Sequence, residues 1–269
     1  MPDANALPSR RPLLLPAFSL AKRELVRFLR QRNRIIGAFL TPIVFWVLIG
    51  AGMGRSFQAP GGSSGSSYLH YFYPGTVLMI LLFTAIFSTI SIIEDRREGF
   101  LQSVLVAPIS PMVIVLGKVL GGTALAFGQG LVFLILAPLV GFKFTPASFA
   151  LALLVMFVVS FGLTALGFCI AWRMSSTQGF HAIMNLFLMP MWFLSGALFP
   201  ASGAMKGLGL LIRANPLSYG LSALRQTMDW GGPVIASFGV SLAVSVGFAL
   251  GIFLLASVIA TGRTSADLQ

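Results

Sequence analysis

Six stretches of this 269-residue chain are apolar enough, over enough residues, to cross a lipid bilayer. They run near Ile35–Met53, Phe72–Ile93, Met112–Val140, Ser148–Ala171, His181–Phe199 and Val234–Ala260. Crossing takes roughly 20 residues of helix. In hydrocarbon the backbone must satisfy its own hydrogen bonds, so each run is helical. Composition agrees: 57% of residues are hydrophobic and 9% charged, against roughly 25% charged in a soluble domain. The expected fold is therefore an all-α integral membrane protein with six transmembrane helices. No loop is long enough for a separate soluble domain, so residues 17–261 form one transmembrane domain. Residues 1–16 are polar, then Pro-rich, and are expected to be a disordered N-terminus without the apolar core of a signal peptide. Residues 262–269 form a short tail. Pro138 is expected to tilt or break the third run, and Gly61–Ser67 reads as a flexible linker. No internal repeat of the secondary-transporter kind is evident.

The net charge of +11 would suggest nucleic acid in a soluble chain. Here the Lys and Arg residues cluster at particular span ends, as the positive-inside rule describes, and no nucleic-acid partner is expected. Thirteen of the 18 fall in segments that share one side, which places both termini in the cytoplasm. Within residues 17–34, Phe18, Ala21, Leu25 and Phe28 repeat at helical spacing. Arg23, Arg27, Arg30 and Arg34 repeat on another face. That pattern predicts a basic amphipathic helix in the headgroup layer, or a plain juxtamembrane basic patch.

An acidic cluster, Glu94-Asp95-Arg96-Arg97-Glu98, interrupts the apolar runs. Glu94 and Glu98 are one turn apart, Phe100 shares a face with Val104, and Leu101 shares one with Leu105. Pro108 ends the turn, and Ser110-Pro111 reads as an N-cap and first residue of the next helix. The spacing predicts a short helix over 94–110, outside the bilayer, with an acidic start and an apolar face suited to a groove on a partner. The alternative is a solvated loop. Between the fifth and sixth runs, residues 200–230 are too polar to span and too apolar for an ordinary loop. Leu217, Leu221 and Leu224 make a stripe, and Arg225 stands four residues before Asp229. These residues predict short re-entrant helices, or a surface loop with one amphipathic helix.

Chemistry is sparse. Gly117-Lys118 lacks the glycine and the hydroxyl residue of a phosphate loop. His181 and Ser195 are 14 residues apart on one helix, about 21 Å, beyond hydrogen-bond reach. No catalytic residue and no metal ligands are assigned, and the single cysteine, Cys169, lies in an apolar run. Thr84, Ser88, Gln129 and Asn185 are polar within spans, either as candidates for a translocation path or as interhelical hydrogen bonds. No charged residue lies deep in a span; Lys118 sits near an end. Ion-coupled carriers need such a group, which points to an external energy source. Gly117-x-x-x-Gly121 and Gly247-x-x-x-Gly251 allow close helix packing, within or between protomers.

The stretch Arg97-Glu98-Gly99-Phe100-Leu101-Gln102-Ser103-Val104-Leu105-Val106-Ala107-Pro108-Ile109-Ser110 resembles the first cytoplasmic loop of ABC-2 type ABC transporter permeases. Two further matches stand in family order: Tyr73-Pro74-Gly75, and Ser195-Gly196 with Phe199-Pro200, followed by Asn215-Pro216-Leu217-Ser218-Tyr219 and Arg225. The resemblance covers nearly the whole chain. Phe100 and Gln102 stand where many members have Thr and Glu. The resemblance implies a type V exporter-like permease of a bacterial-type plasma (inner) membrane that pairs with a second permease copy and works with a cytoplasmic ATP-binding subunit. Residues 17–34 would be its elbow helix. Glu94, Glu98, Gly99, Phe100, Leu101, Val104, Leu105 and Pro108 would belong to its coupling helix. Gly196, Pro200, Asn215, Pro216, Tyr219 and Arg225 would belong to its external segment. ATP and Mg would bind the partner subunit, with no cofactor in this chain. The substrate class implied is drugs, lipid-linked sugars or other amphiphiles. A membrane scaffold that binds a cytoplasmic partner, or a secondary carrier, are the alternative readings.

Overall fold

The computed structural model describes residues 14–53, 68–106, 109–199, 205–228, 232 and 234–264, and those residues are helical with short connections. The early N-terminus, the Gly61–Ser67 linker, Pro108, Pro200, Asp229 and the end of the tail lie outside the described residues. In chain order the helices are α1 (Leu14–Arg30), α2 (Arg32–Met53), α3 (Tyr68–Ser88), α4 (Ile90–Arg97) and α5 (Phe100–Val106). They are followed by α6 (Pro111–Ile135), α7 (Pro146–Ala171), α8 (Thr177–Trp192), α9 (Lys206–Ala214), α10 (Pro216–Thr227) and α11 (Phe238–Thr264). Among the described residues, six helices are long and apolar enough to cross a membrane: Ile35–Met53, Tyr68–Arg97, Pro111–Ile135, Pro146–Ala171, Thr177–Ala197 and Phe238–Gly262.

The second span is the centre of the molecule. Tyr68 through Ile86 is almost wholly buried, packed among α2, α6 and α7. It bends at Ser88-Thr89, where both hydroxyls donate back to carbonyls of the preceding turn, Ser88 to Ala85 at 2.6 Å and Thr89 to Ile86 at 2.7 Å. Such back-bonding competes with the helix ladder and bends it. The helix then continues as α4, so Glu94 and Asp95 end the second span's helix instead of opening a separate one. This corrects the boundary expected from sequence: the short helix begins at Phe100, after Gly99 at φ +73°.

The remaining boundaries follow local chemistry. Pro111 and Pro146 occupy first-turn positions, where the missing N–H costs nothing. Thr145 and Ser148 close a reciprocal cap on α7, and Ser176 caps α8 through the Gly179 N–H. Helix α6 breaks at Leu136 into a 3-10 turn over Ala137–Val140, ending at Gly141, as Pro138 predicts.

Helix α1 divides its apolar residues between an inward face and an open one. Ala17, Leu20, Glu24 and Phe28 turn inward, whereas Phe18 is 63% exposed and lies with Leu15, Val26 and Leu29 on an open apolar side. The inward face runs along α6 turn by turn. A Cβ on Gly117 would stand 2.8 Å from Leu20 Cβ, and one on Gly121 would stand 2.7 Å from Glu24 Cβ. The first glycine pair therefore seats α1 within the protomer. Gly247 and Gly251 on α11 have nothing within 4 Å of that position.

Candidate coupling site at the junction of α1, α4 and α6

Where α1, the end of α4 and the start of α6 meet, seven charged side chains form one network. Asp95 is fully buried, and Glu24 and Lys118 are nearly so. Lys118 Nζ, about two turns into α6, donates to Glu24 Oε1 at 2.6 Å and to Asp95 Oδ2. Arg23 spans both Asp95 oxygens at 3.0 and 2.8 Å, and Arg27 reaches Oδ1 at 2.5 Å. Arg27 also holds Glu94 at 3.1 Å and Glu98 at 3.0 Å. The Asp95 carboxylate thus accepts from three cations, the arrangement a buried charge needs to offset desolvation. Those hydrogen bonds push the Arg23 pKa further above its ordinary value, so the guanidinium stays charged.

The network reaches past the hinge glycine. The Arg23 guanidinium lies 3.6 Å from the centroid of the Phe100 ring, the first residue of α5, a cation–π contact strengthened by partial burial. On the other side of α4, Arg96 donates to the Met174 carbonyl at 2.9 Å and to that of Trp172, and Arg97 to the Ser175 carbonyl at 3.0 Å. These bonds cap the carboxyl end of α7 and fix the turn into α8.

Several of the anticipated partner-contact residues therefore have internal work. Glu94 pairs with Arg27, Phe100 lies under Arg23, and Leu101 is 3% exposed in the core. Glu98 and Ser103 are exposed and Val104 half-exposed. Leu105 lies within α5. Of the arginines, Arg23 and Arg27 join the network, Arg30 is exposed, and Arg34 lies in α2. Sequence reasoning missed Glu24, noted Lys118 only as a cation near a span end, and included Asp95 in the 94–110 stretch without giving it a role. A signal existed: Glu24 is the one acid among six bases in residues 17–34, and Lys118 is a lone cation inside an apolar run.

The candidate path residues separate. Thr84 donates to Gln129 Oε1 at 2.5 Å, bridging α3 and α6, and Ser88 is taken by its own turn. Asn185 is exposed on α8, beside Leu186 and Phe187 at 69% and 64% exposure.

At the opposite end of the spans, Pro190 leads α8 into a π-helical segment, Phe193–Ala197, with Gly196 at φ +85°. Several carbonyls of this segment and its flanks accept side-chain donors. Asn215 Nδ2 donates to Met191 O at 2.6 Å while its Oδ1 caps α10 through the Leu217 N–H at 3.0 Å. Ser218 donates to Leu194 O at 3.2 Å. Tyr71 and Arg225 converge on Gly196 O at 2.9 and 3.0 Å, and Tyr68 donates to Leu198 O at 2.8 Å. Arg225 also lies 4.6 Å from the Tyr71 ring centroid. Pro216 opens α10, whose Leu217, Leu221 and Leu224 are buried and whose Tyr219 is half-buried. Broken backbone at this depth is tolerated because protein groups satisfy it.

The chain is similar to known proteins over most of its length. Residues 17–228, from the start of the α1 core face to the end of α10, match the family described as ABC-2 type transporter. The chain belongs to that family. Transport permease ycf38 of Cyanophora paradoxa is 27% identical over 77% of this chain and 72% of its own. Nodulation protein J of Sinorhizobium fredii is 27% identical over 72% of this chain and 73% of its own. The inner membrane transport permease YadH of Escherichia coli K12 is 24% identical over 86% of this chain and 91% of its own. This ABC-2 protein is a multi-pass membrane permease subunit of an ATP-binding cassette transporter, a family of subunits that work with a cytoplasmic ATP-binding subunit.

Proposed function

We propose that this permease pairs with a second copy and exports an amphiphilic substrate (drug, lipid or glycan in type) on ATP hydrolysed, with Mg, in a separate subunit. Its termini lie in the cytoplasm, and α5 is the coupling helix seated in a cleft of that subunit. The observation that carries this reading is α5 itself. It is a seven-residue helix set off by Gly99 and clamped to the spans through Arg23, with Glu98, Ser103 and Val104 left on its open side. A helix that only connected two spans would need no such clamp. Closure of the ATP-binding subunits would move α5, and with it α1, α4 and α6, rearranging spans across the pair. Asn185, an exposed amide on a span, would face the second copy or the path it encloses, since lipid cannot satisfy it.

The test is ATPase activity and co-purification of the co-expressed ATP-binding subunit with wild-type chain, Ser103→Trp and Glu98→Ala. Loss of co-purification, or a change of several-fold in ATPase, is expected for Ser103→Trp. An ATP-binding subunit that binds and hydrolyses alike with all three overturns the coupling role of α5.

A further inference from the structure

We propose that Lys118, buried in the third span, is the positioning residue of α5, acting through Glu24 and Arg23 without touching α5 itself. The inference rests on the coupling reading for its functional meaning and on geometry for its mechanism. Among the described side chains, α5 has few fastenings. Its backbone joins α4 through Gly99, Leu101 enters the core, and Phe100 and the preceding Glu98 are held by Arg23 and Arg27, both from α1. The position of α5 therefore depends on how Arg23 is shared.

Arg23 has several claimants. It donates to both oxygens of Asp95 and, at 3.2 Å, to Glu24 Oε1, and its guanidinium carbon lies 3.6 Å from the Phe100 ring centroid. Glu24 is the neighbouring residue on the same helix and is 5% exposed, so water offers it little. What limits the pull of Glu24 on Arg23 is Lys118, which supplies the same oxygen with a shorter bond, 2.6 Å against 3.2 Å. The same ammonium takes Asp95 Oδ2, leaving Asp95 oriented for the two-pronged contact with Arg23. Among the described residues, α6 enters the network through Lys118. One buried cation thus joins the acid of α1 to the acid of α4, and the freed guanidinium joins both to α5.

Removal of Lys118 leaves two buried carboxylates to be served by the arginines. Arg23 is then drawn toward Glu24 and off the Phe100 ring, and α5 loses its clamp. Neutralising Glu24 removes that competitor, so Glu24→Gln restores α5 in a chain lacking Lys118, although no lysine bridge has been rebuilt. Phe100→Ala, which alters no charge, disturbs α5 by the same route, so combining it with Lys118→Met adds little.

The experiment uses the full-length chain in lipid nanodiscs with Cys169→Ala, diluted with unlabelled chain so that distances within one copy are read. Spin labels at Lys22→Cys on α1 and Ser103→Cys on α5, both exposed positions, report the α5 position by pulsed dipolar spectroscopy. Labels at Leu154→Cys and Leu250→Cys, exposed on α7 and α11, report the rest of the fold. The parent is expected to give one narrow distance for each pair. Lys118→Met is expected to broaden the first at least twofold and leave the second narrow, and Lys118→Met with Glu24→Gln to return the first to the parent width. A first distance unchanged in Lys118→Met overturns the proposal. So does equal broadening of both pairs, which would mark general loosening. Affinity for the co-purifying ATP-binding subunit, measured on unlabelled chains, is expected to fall about 10-fold in Lys118→Met, or about 1.4 kcal/mol. If α5 is displaced and the affinity holds, the coupling reading fails while the positioning role of Lys118 stands.

Discussion

Two identical sequence motifs in this chain should respond to the same mutation with opposite sign. In Gly121→Ala the new methyl would lie 2.7 Å from Glu24 Cβ and 3.2 Å from the Ala21 carbonyl. Non-bonded carbons settle at about 3.5 Å, so α1 must retreat by about 0.8 Å. The backbone of two packed helices supplies that movement poorly, and overpacking of this kind costs about 1–3 kcal/mol. The retreat also stretches the Lys118–Glu24 bond from 2.6 Å toward the outer limit of a hydrogen bond. A bond to a charged group contributes about 1.5–3 kcal/mol, of which a flexible lysine keeps part. Against this stands the helix propensity gained on replacing glycine, about 1 kcal/mol. The net expectation is destabilisation of about 1–3 kcal/mol. Gly247→Ala makes the same chemical change on α11, where the added Cβ meets nothing within 4 Å. Only the propensity term remains, so that variant should be neutral or stabilised by up to about 1 kcal/mol. Reversible unfolding in mixed micelles, followed by tryptophan fluorescence, gives the energies. Tryptic cleavage at Lys22 and Arg23 reports whether α1 has lifted. The reasoning is refuted if Gly121→Ala lies within about 0.5 kcal/mol of the parent, the range of ordinary surface changes, or if the two variants behave alike.

Three further outcomes are expected. Gly196→Ala should cost about 1–2 kcal/mol, because φ +85° strains any residue with a Cβ even though nothing stands within 4 Å; Gly128→Ala, helical and equally open, serves as the control in the same unfolding assay. Arg225→Met should release one of the two donors on Gly196 O. Hydrogen exchange across Phe193–Ala197 should then rise by about 10-fold or more, for a bond worth about 1.5–3 kcal/mol, and Arg225→Lys should not fully restore it. Asn215→Ala removes both the cap on α10 and the bond to Met191 O. A loss of about 1–3 kcal/mol is expected in the unfolding assay, and a loss below about 0.5 kcal/mol would mean that water or another side chain replaces it.

Much of this architecture is written in runs and stops. The apolar segments and their lengths set the number of spans, since a backbone in hydrocarbon has few alternatives. Ser110-Pro111 marks the start of α6, which the structure reproduces, and the fourth run, expected from Ser148, begins two residues earlier at Pro146. The broken segment after the fifth span is legible as short helices, and its Leu217, Leu221 and Leu224 face inward as their spacing implies. These features are local: each depends on residues within a turn or two.

Tertiary structure decided what each face touches. Periodicity put Phe18 and Phe28 on one apolar face of α1, but the helix is apolar on two sides, and α6 with its glycines packs against the side bearing Glu24 and Phe28, leaving Phe18 open. Gly117-x-x-x-Gly121 and Gly247-x-x-x-Gly251 read identically, yet only the first has α1 against it. Glu94 and Asp95 read as the acidic start of a short helix outside the bilayer, suited to a partner's groove. Asp95 is instead the most buried carboxylate of the network, because Arg23 and Lys118 arrive from 72 and 23 residues away. Thr84 and Asn185 are both polar groups within spans. One is spent on Gln129 and the other stands exposed. Helical spacing fixes the direction in which a side chain leaves its own axis. Whether a charge there is buried and paired depends on the axes that pack against it, and those contacts are made across many tens of residues of chain.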